Sequence, residues 1–288
     1  MREDGIVTDA DWRALTAGVA LVASDLDGTL LRGDGSVSAR TVDAFARARA
    51  AGLPVVFVTG RPPRWMPEVV RTTGHAGIGV CANGAVVIDL ASQDVLAAHP
   101  VDAHVVDAVV ATLRAEVPGI AFGVEWVPTG EPTPFAHEHD YVPRYPVSEA
   151  GRADDVRDLA RGRDVVKLLA RVPSGHDADS LLAHALGHVA HLVTVTHSDS
   201  QDVLLEMSAL GVTKGSALAT CADGLGVGRA QVAAVGDMPN DVPMVVWAGV
   251  GLAVASAHPD VAAAAAAVIP DPDDDGVAQL VDHVLDRL

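Results

Sequence analysis

Short apolar runs that stop at a polar or acidic residue recur along the chain, separated by stretches with helical spacing. The run over 18–24 ends in Asp25-Leu26-Asp27-Gly28, that over 53–58 in Thr59-Gly60-Arg61, and that over 232–236 in Asp237-Met238-Pro239-Asn240-Asp241. Runs this short and rich in Val and Leu predict buried strands. Between the first two, Ser38 caps a helix that carries Val42, Phe45 and Ala46 on one face and stops at Gly52. Further strands are expected over 77–82, 249–254 and 268–269, and further helices from Thr213, over the Ala-rich 262–267 and over 276–288. Strands in alternation with helices predict an α/β fold, a Rossmann-like core with a doubly wound parallel sheet.

The alternation breaks after Asn83-Gly84, a strong turn signal. Residues 86–101 read as a hairpin, 102–116 as a helix, 119–127 as a strand and 128–146 as a long Pro-rich loop. Strand and helix signals follow at 164–172 and 177–186, and the chain is expected to return to the core at 193–198, with another strand over 201–207. The resulting division is a core of 1–83 and 193–288 with an inserted α+β domain of 84–192. A long irregular loop inside a compact domain is more often functional than decorative. Its His137-Glu138-His139 cluster fits no metal-site spacing and is not read as a metal centre.

At 288 residues the chain is long enough for one large domain or two modest ones with a proper core. A composition of 49% hydrophobic and 20% charged residues is that of a globular protein. The net charge of -18 excludes a general nucleic-acid binder, which needs clustered Lys and Arg. It leaves room for a small anion held by one local cation and a metal. Cys81 and Cys221 form no disulfide framework and are expected as free buried thiols. With no signal-like start and no apolar run of membrane-span length, the protein is expected to be soluble and cytoplasmic, without a membrane partner. Monomer and homodimer are equally open.

Two Asp two positions apart at a strand end face the same side, and converging carboxylates need a cation or a proton. An Asx turn before Gly28 would use the same residues. Thr59 reads either as a helix cap or as a hydroxyl delivered at a strand tip, and Arg61 either as a substrate contact or as a solvated residue. Lys214 falls in the first turn of a helix, where a cation opposes the macrodipole unless an anion sits nearby. Taken alone, it reads as surface charge.

Taken together, Asp25-Leu26-Asp27-Gly28-Thr29-Leu30, Thr59-Gly60-Arg61, Lys214-Gly215 and Gly236-Asp237-Met238-Pro239-Asn240-Asp241 resemble, in order and spacing, the four motifs of the haloacid-dehalogenase superfamily of phosphohydrolases. The single insert between the second and third motifs resembles the mixed α/β cap of the Cof-type subfamily, as do Asn83-Gly84-Ala85, Glu206 and Gly211-Val212-Thr213-Lys214-Gly215. The resemblance spans about residues 20–286. It implies that Asp25 attacks phosphorus to form an aspartyl-phosphate while Asp27 acts as acid and then base. It also implies Mg²⁺ held by Asp25, the Asp27 carbonyl and Asp237, with Asp241 in support. Thr59 and Lys214 would clamp the phosphate, in a pocket completed by Gly28, Gly60, Arg61 and Asn240.

The activity so implied is a Mg²⁺-dependent phosphatase of a small phosphorylated metabolite, a sugar phosphate first and a phosphorylated cofactor such as flavin mononucleotide or pyridoxal phosphate second. The cap and its loop would close over the site and choose the leaving group. A phosphomutase and a non-catalytic phosphometabolite sensor are the alternatives. One string departs from the Cof-type pattern. Ala255-Ser256-Ala257 stands where Gly-Asn-Ala is usual, so the shorter Ser takes the place of an Asn that braces the loop near the metal.

Overall fold

The computed structural model describes residues 6–131, 133–144, 150–172, 177–200 and 202–288. In chain order its first elements are α1 (Asp9–Leu15), β1 (Leu21–Ser24), α2 (Ala39–Ala51), β2 (Val55–Val58), α3 (Met66–Thr73), β3 (Ile78–Cys81), β4 (Val86–Asp89) and β5 (Val95–Ala98). There follow α4 (Ala103–Glu116), β6 (Ala121–Trp126), β7 (Phe135–Glu138), β8 (Gly151–Ala153), α5 (Val156–Ala160), β9 (Val165–Arg171), α6 (Ala178–Val189), β10 (Val193–Thr196) and β11 (Leu204–Ala209). The chain closes with α7 (Lys214–Gly224), β12 (Val232–Gly236), α8 (Val242–Trp247), β13 (Val250–Val254), α9 (Pro259–Ala264), β14 (Ala267–Ile269) and α10 (Gly276–Leu285).

Two compact units result. The first comprises residues 1–61, 65–96 and 213–288, and the second 62–64 and 97–212. In the first, eight strands run in the order β14-β13-β12-β1-β2-β3-β4-β5. β1 pairs in parallel with β2 on one side and β12 on the other. The strand order therefore reverses between β1 and β12, both of them wholly buried, and in a doubly wound sheet that switch point is where the carboxyl ends of the strands open a crevice. Helices α1, α2, α3 and α10 form one packed group and α7, α8 and α9 another. Right-handed crossovers on either side of a reversal put two such groups on opposite faces of the sheet. As expected, the Ser38 hydroxyl caps α2 by accepting the Thr41 N–H at 3.0 Å, and Gly52 ends the helix in the left-handed conformation.

The second unit holds six strands in the order β10-β11-β9-β6-β7-β8, antiparallel except for β7–β8. One sheet face packs Phe122, Val124, Leu168, Leu205 and Met207 against Val109, Leu113, Leu181 and Val189 of α4 and α6. The chain is thus an α/β core with an inserted α+β unit.

The expected boundaries move at both ends. The hairpin after Asn83 belongs to the first sheet, because β4 runs antiparallel to β3 and β5 extends that edge, so the insert starts near 97 and not at 84. β10 and β11 pair with each other and with β9, so the chain leaves the insert at Val212 and not at 192. Gln201, Pro132 and residues 145–149 lie outside the described residues.

The stretch read as one irregular loop contains a strand, β7, that pairs with β6 through Gly123 and His137. Pro-rich flanks hid it. Glu138 in that strand is buried and spoken for by protein groups. Its Oε2 accepts the Phe122 N–H at 2.9 Å, its Oε1 accepts the Val156 N–H at 2.8 Å, and Arg114 pairs with it. Among the described residues, the 137–139 cluster forms no metal-ligand group.

Removal of a buried carboxylate that satisfies two backbone N–H groups leaves both unpaired and leaves Arg114 with Asp155 alone of its two carboxylate partners, which costs about 3–5 kcal/mol. Glu138→Ala is therefore expected to lower the urea midpoint for unfolding of the second unit by that equivalent, and Glu138→Gln, which keeps one acceptor, by less. Equal midpoints for wild type and Glu138→Ala would show the network to be dispensable.

Candidate active site

The carboxyl ends of β1, β2 and β12 lie side by side because their register is in step. Ser24 pairs with Val235 and with Phe57, so the residues just beyond emerge at one edge. Asp25 continues β1 by donating its N–H to the Val235 carbonyl at 3.0 Å. Asp237 follows β12, and Asp241 is the residue before α8, turned back toward the strand end. Carboxylate oxygens of Asp25, Asp237 and Asp241 lie within 4.8 Å of one another.

One cation sits among them. Lys214, the first residue of α7, is 1% exposed, and its Nζ lies 2.6 Å from Asp241 Oδ1 and 2.8 Å from Asp25 Oδ1. The α7 start is fixed by a capping box, in which the Thr213 hydroxyl accepts the Ser216 N–H at 3.0 Å. The nearby anions resolve the conflict between a cation and a helix N-terminus that the sequence presents. Burial works to lower the Lys214 pKa, but the Asp241 and Asp25 carboxylates override it and hold the ammonium well above its usual range.

The balance of charge is unequal. Burial first, and then the Asp241 charge, push the Asp25 carboxyl well above the carboxylate range. The same two causes push Asp237 up to about 7. Three converging carboxylates with one ammonium form an all-oxygen donor set short of positive charge, which fits a hard divalent cation such as Mg²⁺. Asp241 Oδ2 already accepts the N–H groups of Asp237 and Met238, both at 2.9 Å, so this residue shapes the loop. Asp237 is held by Thr29, whose hydroxyl donates to Oδ1 at 2.7 Å. Thr29 was not singled out from sequence, although a hydroxyl directly after Asp-Leu-Asp-Gly is a signal that could have marked it.

Gly28 takes φ +76°, and a Cβ there would stand 2.4 Å from Asp237 Oδ2. Its part is to let the β1 loop approach the cluster. Asp27 is not in that cluster. Its carboxylate is 60% exposed and is gripped by the Arg61 fork, with Nε donating to Oδ2 at 2.7 Å. Arg61, which the sequence leaves open between a substrate contact and a solvated residue, pairs with Asp27.

Thr59 is buried, and its hydroxyl oxygen accepts the Arg61 N–H at 3.0 Å. Asn83 donates its N–H to the Thr59 carbonyl at 3.0 Å, and Asn240 donates from Nδ2 to Asn83 Oδ1 at 3.0 Å. Asn240 therefore braces the turn after β3. Its Oδ1 is buried without a hydrogen-bond partner among the described residues. Ser256 meets Asp271, donating from both its N–H (2.8 Å) and its hydroxyl (2.7 Å), and His258 donates its N–H to the Asp237 carbonyl at 2.7 Å. The loop in which Asn was expected is anchored by these bonds.

The family of haloacid dehalogenase-like hydrolases matches residues 22–281. The chain is 27% identical to pyridoxal phosphate phosphatase YbhA of Escherichia coli over 91% of its length and 97% of that protein. It is 28% identical to HMP-PP phosphatase of Enterobacter sp. over 93% and 96% of the two chains. A solved haloacid dehalogenase-like hydrolase from B. subtilis shares the fold with a TM-score of 0.76 at 24% identity, covering 92% of this chain and 99% of that one.

A carboxylate whose folded pKa is raised favours folding below its unfolded pKa and loses that contribution as pH rises through the folded value. For Asp237 the window runs from 3.8 to about 7. With EDTA present, Asp237→Asn is expected to melt higher than wild type at pH 7.5, with a gap that closes toward pH 4. Added Mg²⁺ should raise the wild-type melting temperature and leave that of the variant nearly unmoved. A variant less stable than wild type at pH 7.5 in EDTA would contradict the charge imbalance.

Proposed function

The chain belongs to the haloacid dehalogenase-like hydrolase family, and on that premise we propose that it is a Mg²⁺-dependent phosphatase of a small phosphorylated metabolite with Asp25 as nucleophile. The observation that carries this reading is the buried Asp25 carboxylate held by Lys214 beside Asp237 and Asp241 at the switch point of the sheet.

Phosphate-monoester hydrolysis is among the slowest uncatalysed reactions, and a carboxylate nucleophile splits it into two easier steps. Lys214 engages Oδ1 of Asp25, which leaves Oδ2 to attack. As the new bond from Asp25 to phosphorus forms, the ester P–O bond breaks, and Asp27 gives a proton to the departing oxygen. Asp27 then takes a proton from a water whose oxygen attacks phosphorus; the bond to Asp25 breaks, phosphate leaves and the carboxylate is restored. Mg²⁺ held by Asp25 and Asp237, with Asp241 in support, would offset the negative charge that opposes attack of an anion on an anion.

Lys214 keeps Asp25 in one rotamer and adds positive charge beside the transferring group. Among the described residues, the Thr59 hydroxyl proton is not committed to an acceptor, so it serves a phosphoryl oxygen. Arg61 holds Asp27 ready through its fork. Choice of leaving group falls to the second unit, whose sheet face away from its helices carries Glu125, Lys167 and Glu206. Such groups suit a hydroxyl-rich sugar phosphate. Phosphorylated cofactors come second, and the similarity to a pyridoxal phosphate phosphatase and an HMP-PP phosphatase supports keeping such compounds among the candidates.

Phosphate release from sugar phosphates, pyridoxal phosphate and nucleotides, with Mg²⁺ or with EDTA, tests the reading. Turnover is expected only with Mg²⁺, to fall by at least about 10³-fold in Asp25→Asn and by about 10²- to 10⁴-fold in Asp27→Asn. No release from any compound by folded protein would refute hydrolysis as its activity.

A further inference from the structure

We propose that the second unit carries its own site for a borderline divalent transition metal, Zn²⁺ above all, built from Glu116, His184 and His188. One carboxylate oxygen and one imidazole nitrogen from each histidine lie within 4.8 Å of one another. His184 and His188 are four residues apart on α6, so both stand on the same face, one turn apart. Glu116 reaches them from the last residue of α4, which packs against α6.

The carboxylate and His188 stand near each other without closing an ion pair. His188 Nε2 lies 3.8 Å from Glu116 Oε2, too far for a hydrogen bond. Ligands about 2.0–2.1 Å from a tetrahedral Zn²⁺ are separated from one another by roughly 3.3 Å, so a small side-chain rotation brings the pair into range. The two imidazole rings lie with centroids 4.8 Å apart. Neutral imidazole is the form that binds metal.

Two further observations favour a cation here. His184 Nε2 is shut off from solvent with no hydrogen-bond partner among the described residues, a state that costs free energy unless something satisfies the nitrogen or reorients the ring. Glu116 ends α4 and His188 lies in the last turn of α6, so two helix C-termini with their partial negative charge meet at the cluster, and Glu116 itself opposes the dipole of its own helix. A bound cation answers both.

Two imidazoles and one carboxylate select Zn²⁺ or a neighbouring transition ion over Mg²⁺ and Ca²⁺, which prefer all-oxygen sets. Three protein ligands leave a position for water. The ion would tie α4 to α6 and so stabilise the second unit.

Titration of the full chain with ZnCl2, with Mg²⁺ in excess, is compared between wild type and the double variant His184→Ala/His188→Ala. Wild type is expected to bind one more Zn²⁺ than the variant, and its melting temperature should rise with Zn²⁺ where that of the variant does not. Equal stoichiometry and affinity in a double variant that melts cooperatively in EDTA would overturn the site. If that variant does not fold, Glu116→Gln, at a half-exposed side chain, serves instead. A Kd at least about tenfold weaker is then expected, and an unchanged Kd overturns the proposal.

Discussion

The first unit is organised around a charge that its own protein groups do not balance. Lys214 and two backbone N–H groups fully engage Asp241, which is why that carboxylate can be wholly buried. Asp25 shares the same ammonium and, among the described residues, Asp237 accepts a side-chain hydrogen bond from the Thr29 hydroxyl alone, so the shortfall rests on these two. The three acids thus differ in kind. Asp241 shapes the loop that follows β12, whereas Asp25 and Asp237 keep their charge in need of a partner that arrives from outside. A site of this sort costs stability in the empty protein, a cost that a bound cation would offset.

Such convergence needs backbone in unusual places. Ala82 and Asn83 adopt left-handed conformations in succession, with φ of 50° and 56°, which only a strongly determined surrounding sustains. The surrounding is visible. Ala82 donates its N–H to the Arg61 carbonyl, Asn83 donates its own to Thr59, and Asn240 reaches across from the loop after β12 to the Asn83 side chain. Gly84 completes the turn where a Cβ would meet the Thr213 carbonyl at 2.3 Å. The second, third and fourth motifs are therefore joined through the turn after β3 by these hydrogen bonds and the close approach of Gly84 to Thr213.

How much of this could be read from sequence follows from how local each signal is. Strand tips that end in Asp25, Thr59 and Asp237 announce themselves through short apolar runs, and Ser38 and Gly52 mark α2 by capping chemistry alone. The edge of the insert was less legible, because 86–98 and 193–209 have strand patterns that serve either sheet equally well and only pairing decides between them. β7 was masked by flanking prolines, and nothing in the sequence marks Glu138 within it as the acceptor of two backbone N–H groups and the partner of Arg114. The pairing of Arg61 with Asp27, 34 residues apart, has no sequence signature at all. Nor has the Glu116, His184 and His188 cluster, since the carboxylate comes from another helix.

The two faces of the second sheet answer to different demands. Toward α4 and α6 the side chains are apolar, and the buried Glu138 on that side is saturated by backbone donors and Arg114. On the other face Phe135, Tyr141 and Leu169 surround charged groups, with Lys167 Nζ 2.6 Å from Glu206 and Arg64 2.8 Å from Glu125. Buried ion pairs contribute little net stability, because desolvation offsets most of their attraction, and apolar residues of similar volume would serve a purely structural face at least as well. Packing alone therefore gives no reason for two such pairs side by side on this surface. Under the function proposed above, recognition of a polar substrate would give one, since groups already stripped of water and held in place lose little when they exchange a protein partner for a ligand.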